Sequence, residues 1–171
     1  MNRRSFLKLA SLGPTLVALQ NLPLAGFAGA ARAAPGGDAI LDAHEQRLFL
    51  TIIERMVDTG EPGAPAPRDI GVLETLEGLL AQLDVALVDT IRTALKLVDW
   101  WPATGELRFK RFGALTPEEQ NASLEGWRRS GLETRRRVFY ALRNISLFAY
   151  WSRQETWGLI GYPGPWIRWP S

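Results

Sequence analysis

With 171 residues, 46% hydrophobic and 22% charged, the chain has the composition of one globular domain and not of a disordered or fibrous protein. It contains no cysteine, which excludes disulfide scaffolds, covalent haem attachment, iron-sulfur ligation and thiolate nucleophiles. The formal charge is only +2, and the first 33 positions hold four of the 20 basic residues, Arg3, Arg4, Lys8 and Arg32, and no acid.

Those 33 residues read as a twin-arginine signal peptide. Asn2-Arg3-Arg4-Ser5-Phe6-Leu7-Lys8 pairs two arginines with an apolar doublet, Phe6 and Leu7. A mildly apolar stretch follows, and Ala31-Arg32-Ala33 supplies a small-residue cleavage site at Ala31 and Ala33. The alternative is a retained membrane anchor, but Pro14, Gln20, Asn21 and Pro23 make this stretch a poor spanning helix. Cleavage after Ala33 leaves 138 residues with 16 basic and 18 acidic side chains, a net charge of −2. The basic balance therefore belongs to the leader, and a nucleic-acid partner is not expected. The location expected for the product is the periplasm.

Residues 34–40 form a Gly/Pro linker, and 41–171 a single helical domain. Asp42-Ala43-His44-Glu45 is a capping box opening a helix, with Leu48, Phe49, Ile52, Ile53, Met56 and Val57 at helical spacing to about Asp58. Prolines and glycines make 59–68 a loop. Asp69 is the expected cap of a second helix with a leucine stripe from Val72 to Leu83. A third helix carries Leu87, Ile91, Ala94, Leu95 and Val98, and ends at Trp100-Trp101 before Pro102. An extended connector, 103–115, is expected to bury Phe109 and Phe112. Thr116-Pro117-Glu118-Glu119 begins a fourth helix that stops near Gly131. The last starts near Leu132 and is apolar on most sides from Val138 to Trp151, as the central helix of a bundle would be. The predicted fold is all-α, a bundle of about five helices.

Catalytic chemistry finds few footholds. The single histidine, His44, reads as a solvated residue of a capping turn, and one histidine cannot supply the two Glu-x-x-His motifs of a di-metal bundle. Glu118 and Glu119 fit a helix-dipole role, and there is no glycine-rich loop between strand and helix. Arg135-Arg136-Arg137 could hold a phosphate or a partner's acids, but a solvated helix face is favoured, because Arg136, Tyr140 and Arg143 lie on one stripe. No catalytic, cofactor or metal residue is predicted.

The tail, 152–171, is different. All three tyrosines and four of the seven tryptophans lie between Phe139 and Ser171. Prolines at 163, 165 and 170 are expected to hold the tail extended, which lowers the entropy lost on docking. The expected partner-binding residues are Tyr150, Trp151, Trp157, Ile160, Gly161, Tyr162, Pro163, Gly164, Pro165 and Trp166, because interface anchors are enriched in such aromatics. The alternative is that the tail folds back on its own bundle.

With its twin-arginine leader, Phe112-Gly113-Ala114-Leu115-Thr116-Pro117-Glu118-Glu119, Trp127, Ala149-Tyr150-Trp151 and Trp157-Gly158-Leu159-Ile160-Gly161-Tyr162-Pro163-Gly164-Pro165, the chain resembles the gluconate 2-dehydrogenase subunit 3 family. The similarity is most specific from Phe109 to Trp166. It departs from the family pattern at Ser152-Arg153-Gln154-Glu155-Thr156, where an acid and a proline are common, and in a short middle region. The resemblance implies a non-catalytic small subunit that binds, stabilises and co-exports a large FAD-dependent dehydrogenase of the glucose-methanol-choline class. FAD would sit in that partner and not in this chain. A cytochrome c subunit and the twin-arginine translocase are the further partners implied. Two other functions fit the residues: a free periplasmic bundle holding an apolar ligand among Trp100, Trp101, Trp127 and Trp151, and a cofactor-free hydrolase using His44.

Overall fold

The computed structural model describes residues 39–58, 60–101 and 110–164. Among them are six α-helices and no strand: α1 (Ala43–Met56), α2 (Val72–Leu80), α3 (Val85–Trp100), α4 (Pro117–Arg128), α5 (Glu133–Trp151) and a single turn, α6 (Gln154–Trp157). The fold is all-α.

Two helix starts are dictated locally. Asp42 accepts the backbone N–H of His44 and Glu45, both at 2.8 Å, and the Glu45 carboxylate returns to the Asp42 N–H at 3.1 Å. Thr116 and Glu119 close the same reciprocal box at α4, behind Pro117. Each box satisfies backbone donors that a helix start otherwise leaves open.

Other boundaries follow the tertiary packing. Asp69 does not cap α2. It ends a 3-10 turn, Pro67–Asp69, and α2 begins after Gly71, whose φ of 64° lies in the left-handed region. A side chain there would also crowd Arg153 and Glu74. In the connector after α3, residues 112–114 wind into a 3-10 turn that buries Phe112, with the Gln120 amide donating to the Leu115 carbonyl at 3.2 Å. Phe109 lies outside the described residues.

α5 is the central helix. It packs against α1, α2, α3 and α4 and turns into α6 at its end. One continuous core gathers Phe49, Ile52 and Ile53 of α1, Leu76 and Leu79 of α2, Ile91 and Leu95 of α3, Trp127 of α4, and Val138, Leu142 and Ile145 of α5. Burial of this apolar surface is the main term holding the cysteine-free chain together. A polar tie adds direction: Glu77 of α2 accepts the backbone N–H of Ile40 (2.8 Å) and Leu41 (3.2 Å) and the Gln46 amide (3.2 Å), fixing the entry to α1. No described helix is long and apolar enough to cross a membrane.

Candidate functional site: an aromatic knot at the end of the central helix

α5 ends on its own side chains. Leaving the helix, Arg153 N–H donates to the Tyr150 carbonyl at 3.1 Å, and α6 then carries Trp157 back over the helix end. The Trp157 indole N–H donates to the Trp151 carbonyl at 3.1 Å, satisfying one of the acceptors that a helix C-terminus leaves open. Thr156, fully buried, gives its hydroxyl to the Arg153 carbonyl at 2.7 Å, locking the turn from inside.

Beyond Trp157 the chain makes a 3-10 turn, Gly158–Ile160, and reverses at Gly161 with φ 64°. Tyr162 N–H then reaches the Trp157 carbonyl at 3.0 Å, and the Tyr162 ring meets the Trp157 ring edge-on, centroids 5.1 Å apart. Gly164 closes the knot. Its φ is 102°, and a Cβ there would lie 3.3 Å from the Trp157 ring. Glycine is required both by the backbone angle and by the close approach of the indole.

The expected partner residues thus divide. Ile160 is 60% exposed and Tyr162 40%, with Gly161 and Pro163 also exposed beside them. Trp151 and Trp157 are half-buried, and the Trp157 ring is the surface against which Tyr162 rests. Gly164 is buried under Trp157.

Tyr150 corrects the expectation. It is 1% exposed, belongs to the core, and donates its hydroxyl to the Pro65 carbonyl at 3.0 Å, so it faces the 60–68 loop and not a partner. Within the described part of the tail, 154–160 are wound into helical turns and not extended, while 165–171 lie outside the described residues. The reason is local: the glycines at 158, 161 and 164 permit tight turns, and the indole of Trp157 has a helix end to cap. Pro165 and Trp166 lie outside the described residues, as do Arg3, Arg4, Phe6, Leu7, Ala31 and Ala33.

Two further clusters sit at the end of α3. His44 is not merely solvated: its Nε2 lies 3.2 Å from Oδ2 of Asp99, a carboxylate 1% exposed. A carboxylate only accepts, so Nε2 is the donor in this contact. Arg111 approaches the same oxygen at 3.8 Å, while Asp99 Oδ1 is buried without a partner. Asp42, Glu45, Lys96 and Trp100 complete the rim of a cleft of about 130 Å³. Asp99 was missed in the sequence because nothing marks an acid at the end of an apolar stripe as buried until the histidine 55 positions away is seen to meet it. The pair ties α1 to α3. Among the described residues, no Ser, Thr or Cys lines the cleft and no cluster of three metal-ligating side chains occurs.

Beside it, Arg111 lies over the Trp100 ring at 4.1 Å, and Arg135 of α5 lies over Trp101 at 4.2 Å and Trp127 at 5.4 Å. Of the four tryptophans suggested for an apolar ligand, Trp127 is buried in the core and Trp100 is 66% exposed. An open cleft of about 340 Å³ is lined by the end of α1, the loop around Pro67 and Tyr150. Compared with protein-family models, with curated proteins and with solved structures, the chain matches none.

Proposed function

We propose that this protein is a non-catalytic small subunit that binds and stabilises the folded form of a larger enzyme and accompanies it through the twin-arginine export route. The partner is a flavin-dependent dehydrogenase of the glucose-methanol-choline class acting on sugars or alcohols, with FAD in the partner, and the resident compartment is the periplasm. The observation that carries the reading is the braced knot at the end of α5, where Ile160 and Tyr162 are exposed and the Tyr162 ring rests on Trp157, itself tied to the Trp151 carbonyl. Rigid aromatic and aliphatic groups that are ordered before binding lose little entropy on docking, which is the property of an interface anchor. The resemblance in residues 109–166 names the class of partner. The paired arginines of the leader give the route, one suited to cargo that folds around a cofactor before export.

The test is a pull-down of the tagged protein from its native periplasm, followed by an absorption spectrum of the eluate. A stoichiometric large partner with flavin bands near about 370 and 450 nm is the expected result. A colourless eluate containing this chain alone refutes the subunit reading.

A further inference from the structure

The stack of Trp101, Arg135 and Trp127 stands at the opposite end of α5 from the knot. Sixteen residues separate Arg135 from Trp151, about 24 Å along the helix axis. Arg135 is partly buried, and desolvation lowers its pKa from the ordinary guanidinium value. Its Nε has no acceptor, and neither does the buried indole Nε1 of Trp127, so one three-residue stack holds two orphaned donors.

Three other arginines have a buried Nε without a hydrogen bond: Arg92 and Arg153 each have a carboxylate within 4.0 Å, whereas Arg55, like Arg135, has none among the described residues. What sets Arg135 apart is its place against two indole rings. Arg128 and Arg129 pair with Glu125, and Arg111 with Asp99. Among the described residues Arg135 meets no carboxylate. Among the described residues, its neighbour Arg136 donates to the Ser130 carbonyl, at 2.6 Å, and meets no carboxylate. The first turn of α5 follows Leu132, which provides no side-chain cap, and its one acid, Glu133, pairs with Arg137 and not with Arg135. Trp101, 41% exposed, forms the open wall.

We propose that this corner docks an acidic segment of a protein partner, with one carboxylate on the edge of the Arg135 guanidinium and the flanking chain against Trp101. A guanidinium stacked on an indole keeps its N–H edge free for a bidentate carboxylate, and desolvation by the two rings strengthens that pair. The chemistry suits a single carboxylate better than a nucleic-acid backbone, which would need a track of unpaired cations and not one. The inference is independent of the knot: it concerns the other end of α5 and holds for any acidic partner.

The probe is the full chain, ¹⁵N-labelled, titrated with an acetylated tetraglutamate peptide while the indole and arginine Nε–H resonances are followed. The expected result is a selective shift of Arg135 Nε–H and the Trp101 and Trp127 indoles, with affinity falling severalfold between about 0.02 and 0.2 M salt. Arg135→Gln should abolish the shift. Arg135→Lys, which keeps the charge but not the planar fork, should weaken binding at least fivefold, with far-UV circular dichroism verifying that both variants are folded. Three outcomes overturn the proposal: no shift in the wild type at millimolar peptide; an undiminished response in folded Arg135→Gln or Arg135→Lys; or an equal response to oligothymidylate.

Discussion

Tyr150 and Trp157 set the scale of a single side chain. Tyr150→Phe deletes the hydroxyl that reaches Pro65 and nothing else, so urea denaturation should report a loss of about 1 kcal/mol at neutral pH. Burial pushes the Tyr150 hydroxyl above its ordinary pKa of 10.0, because the tyrosinate is disfavoured inside the core. A raised folded-state value means this contribution is intact below pH 10.0, the ordinary value, and is lost as pH rises from there through the raised one. Alkaline denaturation of the wild type should therefore be steeper than that of Tyr150→Phe. Trp157→Ala removes at once the cap on the Trp151 carbonyl, the ring under Tyr162 and the wall against Gly164. If the knot is the anchor, co-purification with the large partner should weaken by about 2 kcal/mol or more. Full retention of the partner by this variant would take the knot out of the interface.

Elements respond to their caps. The Asp42 carboxylate is held below its ordinary pKa of 3.8, chiefly by the backbone N–H of Glu45, with the N–H of His44 adding to it. A depressed folded-state value gives a contribution that is complete above pH 3.8 and disappears as pH falls through the lowered one. Asp42→Asn keeps a side-chain acceptor for the same donors, so α1 should persist while its share of acid sensitivity is removed. Denaturation midpoints compared at pH 5 and pH 3 would check this: equal acid losses in the two proteins would mean the cap plays no part. At the other end of the bundle, Gly164→Ala places a methyl group 3.3 Å from the Trp157 ring at a φ of 102°. Such strain costs about 1 to 2 kcal/mol locally, and the expected readout is faster proteolysis after residue 157 with α1 to α5 unchanged.

For the molecule as a whole, the subunit reading predicts behaviour that depends on the partner. Alone, the chain exposes Ile160 and Tyr162 at one end of α5 and Trp100 and Trp101 at the other, and light scattering should detect concentration-dependent association. With the partner present at a hundredfold excess over its dissociation constant, apparent stability should rise by about 2.7 kcal/mol.

Much of the helical layout was legible in the sequence. The capping residues Asp42 with Glu45 and Thr116 with Glu119, the apolar stripes, and the all-round apolar α5 encode helices through bonds closed within four residues or through a 3.6-residue period. Such signals are local, and so they survive without a structure. What the tertiary structure alone decided were the pairings across long separations: Tyr150 with Pro65, His44 with Asp99, Glu77 with the entry to α1, and Arg135 between Trp101 and Trp127. A sequence places aromatics and charges on a helix, but their burial depends on which helix packs over them. That is why Tyr150 moved from the expected interface into the core, and why the described part of the tail wound into a knot around Trp157 when its prolines had suggested an extended strap.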